Sequence, residues 1–133
     1  MRTDPQLHHA AFRIAPQSLE KVVEVYGLLG CVVSYRKEGA RWAMIGQASL
    51  PHFDIQLVEV DAEPRRDAAR ISSHIAFISE NPAEHVARIE EWAHTHGLRF
   101  EKGGWSEREL WFDLPDLFID FVVEVMHVSV TEE

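Results

Sequence analysis

Apolar and polar positions alternate at the amino end of the chain. Leu7, His9, Ala11 and Arg13 point one way, and His8, Ala10, Phe12 and Ile14 the other. This period of two predicts a strand over 6–14. From Ser18 to about Leu29 the period lengthens. Leu19, Val22, Val23, Tyr26 and Leu29 form one helical stripe, with Ser18 as N-cap and Gly30 as the stop. Strands are expected at about 31–37 and 41–46, joined by a hairpin at Lys37-Glu38-Gly39-Ala40, and at about 53–60. Residues 61–70 are charged, carry no apolar period and read as a linker. The order then repeats. A strand at 71–79 precedes Asn81-Pro82-Ala83-Glu84, a helix start with Asn as N-cap, Pro at N1 and Glu at N3. That helix runs to about His96 with Val86, Ile89, Trp92 and Ala93 inward, and Gly97 ends it. Strands near 98–102, 107–113 and 117–125 follow, with Gly103-Gly104 as a turn.

The two series share sequence as well as order. Leu50-Pro51-His52-Phe53-Asp54-Ile55-Gln56-Leu57-Val58 aligns without gaps to Leu114-Pro115-Asp116-Leu117-Phe118-Ile119-Asp120-Phe121-Val122, an offset of 64 (114 − 50). His9-Ala10-Ala11-Phe12 aligns with His74-Ile75-Ala76-Phe77 at an offset of 65 (74 − 9). An internal repeat constrains the fold more than any single element does. The expected class is α+β, with two βαβββ modules forming an eight-stranded curved mixed sheet flanked by helices. Module 1 covers about 6–60 and module 2 about 71–126, within one domain spanning 1–133. Neither module covers its own sheet face, so association of the modules drives folding.

Strand parity sorts the polar residues. Apolar Ala10, Phe12 and Ile14 should face a helix, which leaves His9 on the concave side. By the same argument His74, Gln56 and Asp120 fall opposite the apolar faces of their strands. Two imidazoles, an amide oxygen and a carboxylate suit a divalent first-row metal such as Zn, Ni, Co, Mn or Fe. Four protein ligands leave positions open for water or substrate oxygens. Should Asp120 fall out of reach, Glu124 is the fallback on the same face. His8 competes with His9, but a one-residue slip would turn Phe12 and Ile14 inward. Arg13 is placed to meet an anionic substrate or to pair with Glu124 or Asp54. Trp42, Trp105 and Trp111 are candidate pocket walls.

Those residues resemble the vicinal oxygen chelate superfamily, which includes glyoxalase I, fosfomycin-resistance proteins, extradiol dioxygenases and bleomycin-resistance proteins. The resemblance runs from about Leu7 to Val125. It rests on the two His-led strands and on Asp113-Leu114-Pro115-Asp116-Leu117-Phe118-Ile119-Asp120, an altered form of the family's last ligand strand. It implies that His9, Gln56, His74 and Asp120 hold the metal, with Asp120 or a metal-bound hydroxide moving a proton. The implied activity is metal-dependent lyase or isomerase chemistry of glyoxalase type on a small substrate with vicinal oxygens; ring-cleaving dioxygenase chemistry is the lesser option. The alternative is a metal-free protein that sequesters a small aromatic or cationic molecule, as bleomycin-resistance proteins do.

Composition narrows the partners. A net charge of −9 argues against nucleic acid and against an anionic membrane surface. No apolar run approaches the roughly 20 residues that span a bilayer, and the start lacks the apolar core of a signal peptide. One cysteine, Cys31, points to a reducing, cytoplasmic setting. A small open sheet leaves edges and apolar surface for a twofold partner, so a homodimer is expected.

Overall fold

A computed structural model of the chain describes residues 4–65 and 67–132. The amino-terminal alternation forms strand β1 (His9–Ile14), followed by helix α1 (Leu19–Leu28). Strands β2 (Val32–Arg36), β3 (Trp42–Gly46) and β4 (Asp54–Glu59) complete the first module. The second repeats the order: β5 (His74–Ser79), α2 (Pro82–Thr95), β6 (Glu101–Ser106), β7 (Glu109–Asp113) and β8 (Val122–His127). The architecture is α+β, built from two βαβββ modules.

The eight strands fall into two four-stranded sheets, ordered β1-β4-β3-β2 and β5-β8-β7-β6. In each, the first strand runs parallel to the last and the other neighbours are antiparallel, so both sheets are mixed. The sheets meet at an isolated antiparallel bridge between Ile14 and Phe118. There the Ala15 N–H donates to the Leu117 carbonyl at 2.8 Å and the Ile119 N–H to the Arg13 carbonyl at 3.2 Å.

One core joins the modules. Leu19, Val22, Val25 and Tyr26 of α1 cluster with Val86, Ile89 and Ala93 of α2 and with Ile45, Leu57, Val123 and Val125 of the sheets. Tyr26 packs its ring on Phe77, with centroids 5.9 Å apart. Helix-facing strand residues are thus buried or half-buried, whereas His9, Ala11 and Arg13 of β1 and His74 and Ala76 of β5 remain exposed.

Three local expectations change. Ser18 does not cap α1 through its side chain; its hydroxyl donates back to the Ala15 carbonyl at 2.6 Å. The helix start is capped from β4, because the Glu59 carboxylate accepts from the Gln17 and Leu19 N–H groups at 2.9 and 3.1 Å. Gly103-Gly104 is not a turn but the middle of β6, since a Cβ on Gly103 would lie 2.6 Å from the Trp111 ring. Finally, the last strand begins at Val122, not near 117. Leu114, Leu117, Phe118 and Ile119 are all buried, so this stretch has no exposed face to alternate with and folds as an apolar plug.

A buried cation ties that plug down. The expected linker ends in a short 3-10 helix over Ala68–Ser72, which carries Arg70. Its guanidinium pairs with Asp113 at 3.0 Å and donates to the carbonyls of Arg65, Phe118 and Phe121. The Arg70 contacts therefore join the approach to β5, the end of β7 and the approach to β8.

Candidate functional site

The sheet register sets which polar residues correspond between modules. In module 1, Ala11 lies opposite Gln56 in the parallel β1–β4 pair, two residues after His9. In module 2, Ala76 lies opposite Glu124 in the β5–β8 pair, two residues after His74. Glu124, not Asp120, therefore occupies the place that matches Gln56. Asp120 lies in the irregular segment before β8 and is ion-paired with Arg13. The ungapped sequence match of Gln56 to Asp120 places the acidic residue four positions early (124 − 120). The reason is the longer connection in module 2. β4 starts four residues after Leu50 (54 − 50), while β8 starts eight after Leu114 (122 − 114).

His74 and Glu124 form a pair. His74 Nε2 lies 3.5 Å from Glu124 Oε1, an ion pair whenever the imidazole is protonated. Glu124 is only 6% exposed although it faces away from the helices. Burial pushes its carboxyl above the ordinary carboxylate range; the His74 side chain pulls it back and Glu109 pushes it further up. Aromatic rings line the same face. His74 stacks obliquely on Trp105 with centroids 5.1 Å apart, and Trp111, directly opposite Glu124 in register, lies 6.5 Å from Trp105. Gly103 makes this possible by leaving room for the Trp111 indole over β6.

Module 1 carries a more polar and more open counterpart. His9 is exposed, and its Nδ1 lies 2.9 Å from His8 Nδ1. Gln56 is half-buried between Ala11 and Met44 in register. Trp42 stacks on Tyr35 at 5.7 Å. Arg13 projects from the exposed face of β1, with its charge met by Asp120.

No family model matches the chain, and no curated protein sequence matches it. Solved structures do. The trypanothione-dependent glyoxalase I of Leishmania major is 15% identical, covering 97% of this chain and 91% of its own, with a TM-score of 0.59. The fosfomycin resistance protein FosX of Mesorhizobium loti is 16% identical, with 99% and 98% covered and a TM-score of 0.56. TnmS3, an antibiotic binding protein from Streptomyces sp. CB03234, is 18% identical, with 96% and 98% covered and a TM-score of 0.56. The chain has the vicinal oxygen chelate fold.

On this fold, the donor chemistry of His9, Gln56, His74 and Glu124 fits a divalent ion. The placement within one chain does not complete such a site. Among the described residues, no three His, Cys, Asp or Glu side chains come together as an ion would require. His9 and Gln56 lie in module 1, and His74 and Glu124 in module 2. Among the same residues, no helix is long and apolar enough to cross a membrane.

Proposed function

We propose that the protein is a metal-dependent enzyme of glyoxalase type, acting on a small substrate with neighbouring oxygens. It works as a homodimer in which the His9–Gln56 half-set of one copy meets the His74–Glu124 half-set of the other. The observation that carries this reading is the identical register of the two half-sets, each a His two residues before an Ala that faces a polar side chain on the parallel strand. Exposed apolar side chains at Val32, Val33, Tyr35 and Trp105 give a second copy surface to cover.

A bound divalent ion supplies Lewis acidity toward the substrate oxygens. Glu124 holds and moves the proton. In the ion-free chain, burial raises its carboxyl relative to an ordinary surface carboxylate. His74 fixes the orientation of that carboxylate through the 3.5 Å contact. Trp105 and Trp111 wall the site and exclude water from one side. Asp120, paired with Arg13, is spared from the proton transfer and instead holds Arg13 at the edge of the face. The buried, unpaired Cys31 fits a reducing cytoplasmic compartment.

Elemental analysis of the purified protein after loading with zinc, nickel, cobalt, manganese or iron tests this. The wild type should retain stoichiometric metal and scatter light as a dimer. His74→Ala and Glu124→Gln should each lose most of it, while Asp120→Ala should keep it. A monomer at micromolar concentration, or retention unchanged in both His74→Ala and Glu124→Gln, would refute the reading. A metal-free binding protein is the second reading, favoured by the indole pair beside a buried carboxylate. Metal-free protein that takes up an aromatic cation, with Trp105→Ala abolishing uptake, would replace the first reading with the second.

A further inference from the structure

The two modules surround their histidines differently. In module 2, His74 turns Nε2 toward Glu124, the residue whose register position matches Gln56. In module 1, a neutral amide stands at that position, and the ring beside His9 is His8. Ser73 precedes His74, so module 2 has no equivalent of that ring.

His8 stands immediately before β1, so the alternation of the strand does not bind its side chain. Its backbone is fixed to β4, because the Asp54 N–H donates to the His8 carbonyl at 2.9 Å. The His8 and His9 rings meet nearly at right angles, with centroids 5.2 Å apart, and their Nδ1 atoms lie 2.9 Å apart. That separation is a hydrogen bond. Between neutral rings it needs one Nδ1–H and one bare Nδ1. The donor ring then keeps a lone pair on Nε2, whereas the acceptor ring carries its hydrogen there. The pair offers one Nε2 lone pair, and the direction of the bond decides which ring holds it.

The site sets that direction. His9 shares the exposed face of the sheet with Gln56, and its Nδ1 is already turned to His8. Nε2 is the ring nitrogen left to serve the site, as it is in His74. For that atom to be bare, Nδ1 of His9 must carry the hydrogen and donate it. An imidazole that holds an ion through one nitrogen donates from the other, and the acceptor fixes its tautomer and tilt. We propose that His8 is a positioning residue for His9. Its Nδ1 accepts the His9 Nδ1–H and so keeps His9 Nε2 bare for a divalent ion. This role rests on the metal-site reading and adds to it a residue outside the four donors. His8 touches neither ion nor substrate and acts only through His9.

The test loads the full-length protein with zinc and compares the wild type with His8→Leu and His8→Asn. Leucine removes the acceptor. Asparagine returns one, because its side-chain oxygen stands as many bonds from the backbone as the histidine Nδ1. Long-range nitrogen–proton NMR of the zinc-loaded wild type at about pH 8, above the ordinary imidazole range, should place hydrogen on His9 Nδ1 and on His8 Nε2. His8→Leu should weaken zinc binding about tenfold, and His8→Asn should restore most of it. Both variants should melt with the wild type, since His8 is exposed. Hydrogen on His8 Nδ1, zinc held equally by His8→Leu, or no recovery in His8→Asn would overturn the role of His8 and leave the metal site in place. A wild type that takes up no zinc, or His9→Ala that binds it unchanged, would overturn the metal site and this role with it.

Discussion

At the scale of single residues, two closely packed features each make a measurable prediction. Gly103 lies under the Trp111 indole, and an added Cβ would approach its ring atoms to 2.6–2.9 Å. Gly103→Ala should displace the indole, destabilise the fold by about 1–3 kcal/mol, and alter tryptophan fluorescence, all readable in one urea titration. The second feature is the Arg70–Asp113 pair. Burial pushes the Asp113 carboxyl up to about 6, against the pull of Arg70. The folded chain therefore binds this proton more tightly than the unfolded chain. The stability it contributes is full below about pH 4 and is lost as pH rises toward 6. Arg70→Ala removes the pull, so the loss should extend to higher pH. It should also lower stability by about 3–5 kcal/mol, because a buried charge loses its partner. A pH series of urea midpoints checks both; an unchanged profile in Arg70→Ala would show that the guanidinium does not hold this carboxylate. Residue identity and strand parity pointed to His9, Gln56, His74 and Asp120 as a set, with Glu124 as the fallback. They did not reveal that Glu124 is buried or that Asp120 is claimed by Arg13, because burial and pairing depend on neighbours distant in sequence.

At the scale of elements, periodicity placed both helices and the strands in order, but β6 and β8 begin three and five residues later than expected (101 − 98; 122 − 117), and element ends followed contacts from elsewhere. The start of α1 is the clearest case. Ser18 satisfies the sequence rule for an N-cap, yet the orphan N–H groups of Gln17 and Leu19 are met by Glu59, about forty residues away. Glu59→Ala should therefore cost about 1–2 kcal/mol, in the range of a lost helix cap, and more than Ser18→Ala. Thermal melts of the two variants decide the order; a larger loss in Ser18→Ala would return the cap to the local residue. The last strand teaches the same lesson. The Leu-Pro turns at Leu50 and Leu114 are alike in chemistry, so an ungapped match carried the strand that follows each turn into the same register. Four extra residues before β8 break that register. Their signature was in the sequence, since Leu117, Phe118, Ile119 and Phe121 do not alternate with polar residues as a half-exposed strand must.

At the scale of the whole molecule, the modules share one core. Residues of α1, α2 and both sheets belong to a single buried cluster, and the bridge at Ile14 and Phe118 ties the sheets together. Unfolding should thus be one cooperative step, with calorimetric and van't Hoff enthalpies in agreement. Two resolved transitions would mean that the modules fold separately. The sequence by itself determined the α+β class, the duplication into two βαβββ units, and the sidedness of His9, Gln56 and His74. These follow from period, turn chemistry and parity, which are local properties of the backbone. Only the tertiary structure decided that Glu124 stands opposite Ala76, that Asp120 belongs to Arg13, and that Arg70 is buried beneath the start of β8. Each of these depends on which strands pair, in what register, and on what covers them, and those are set by packing between residues far apart in the chain.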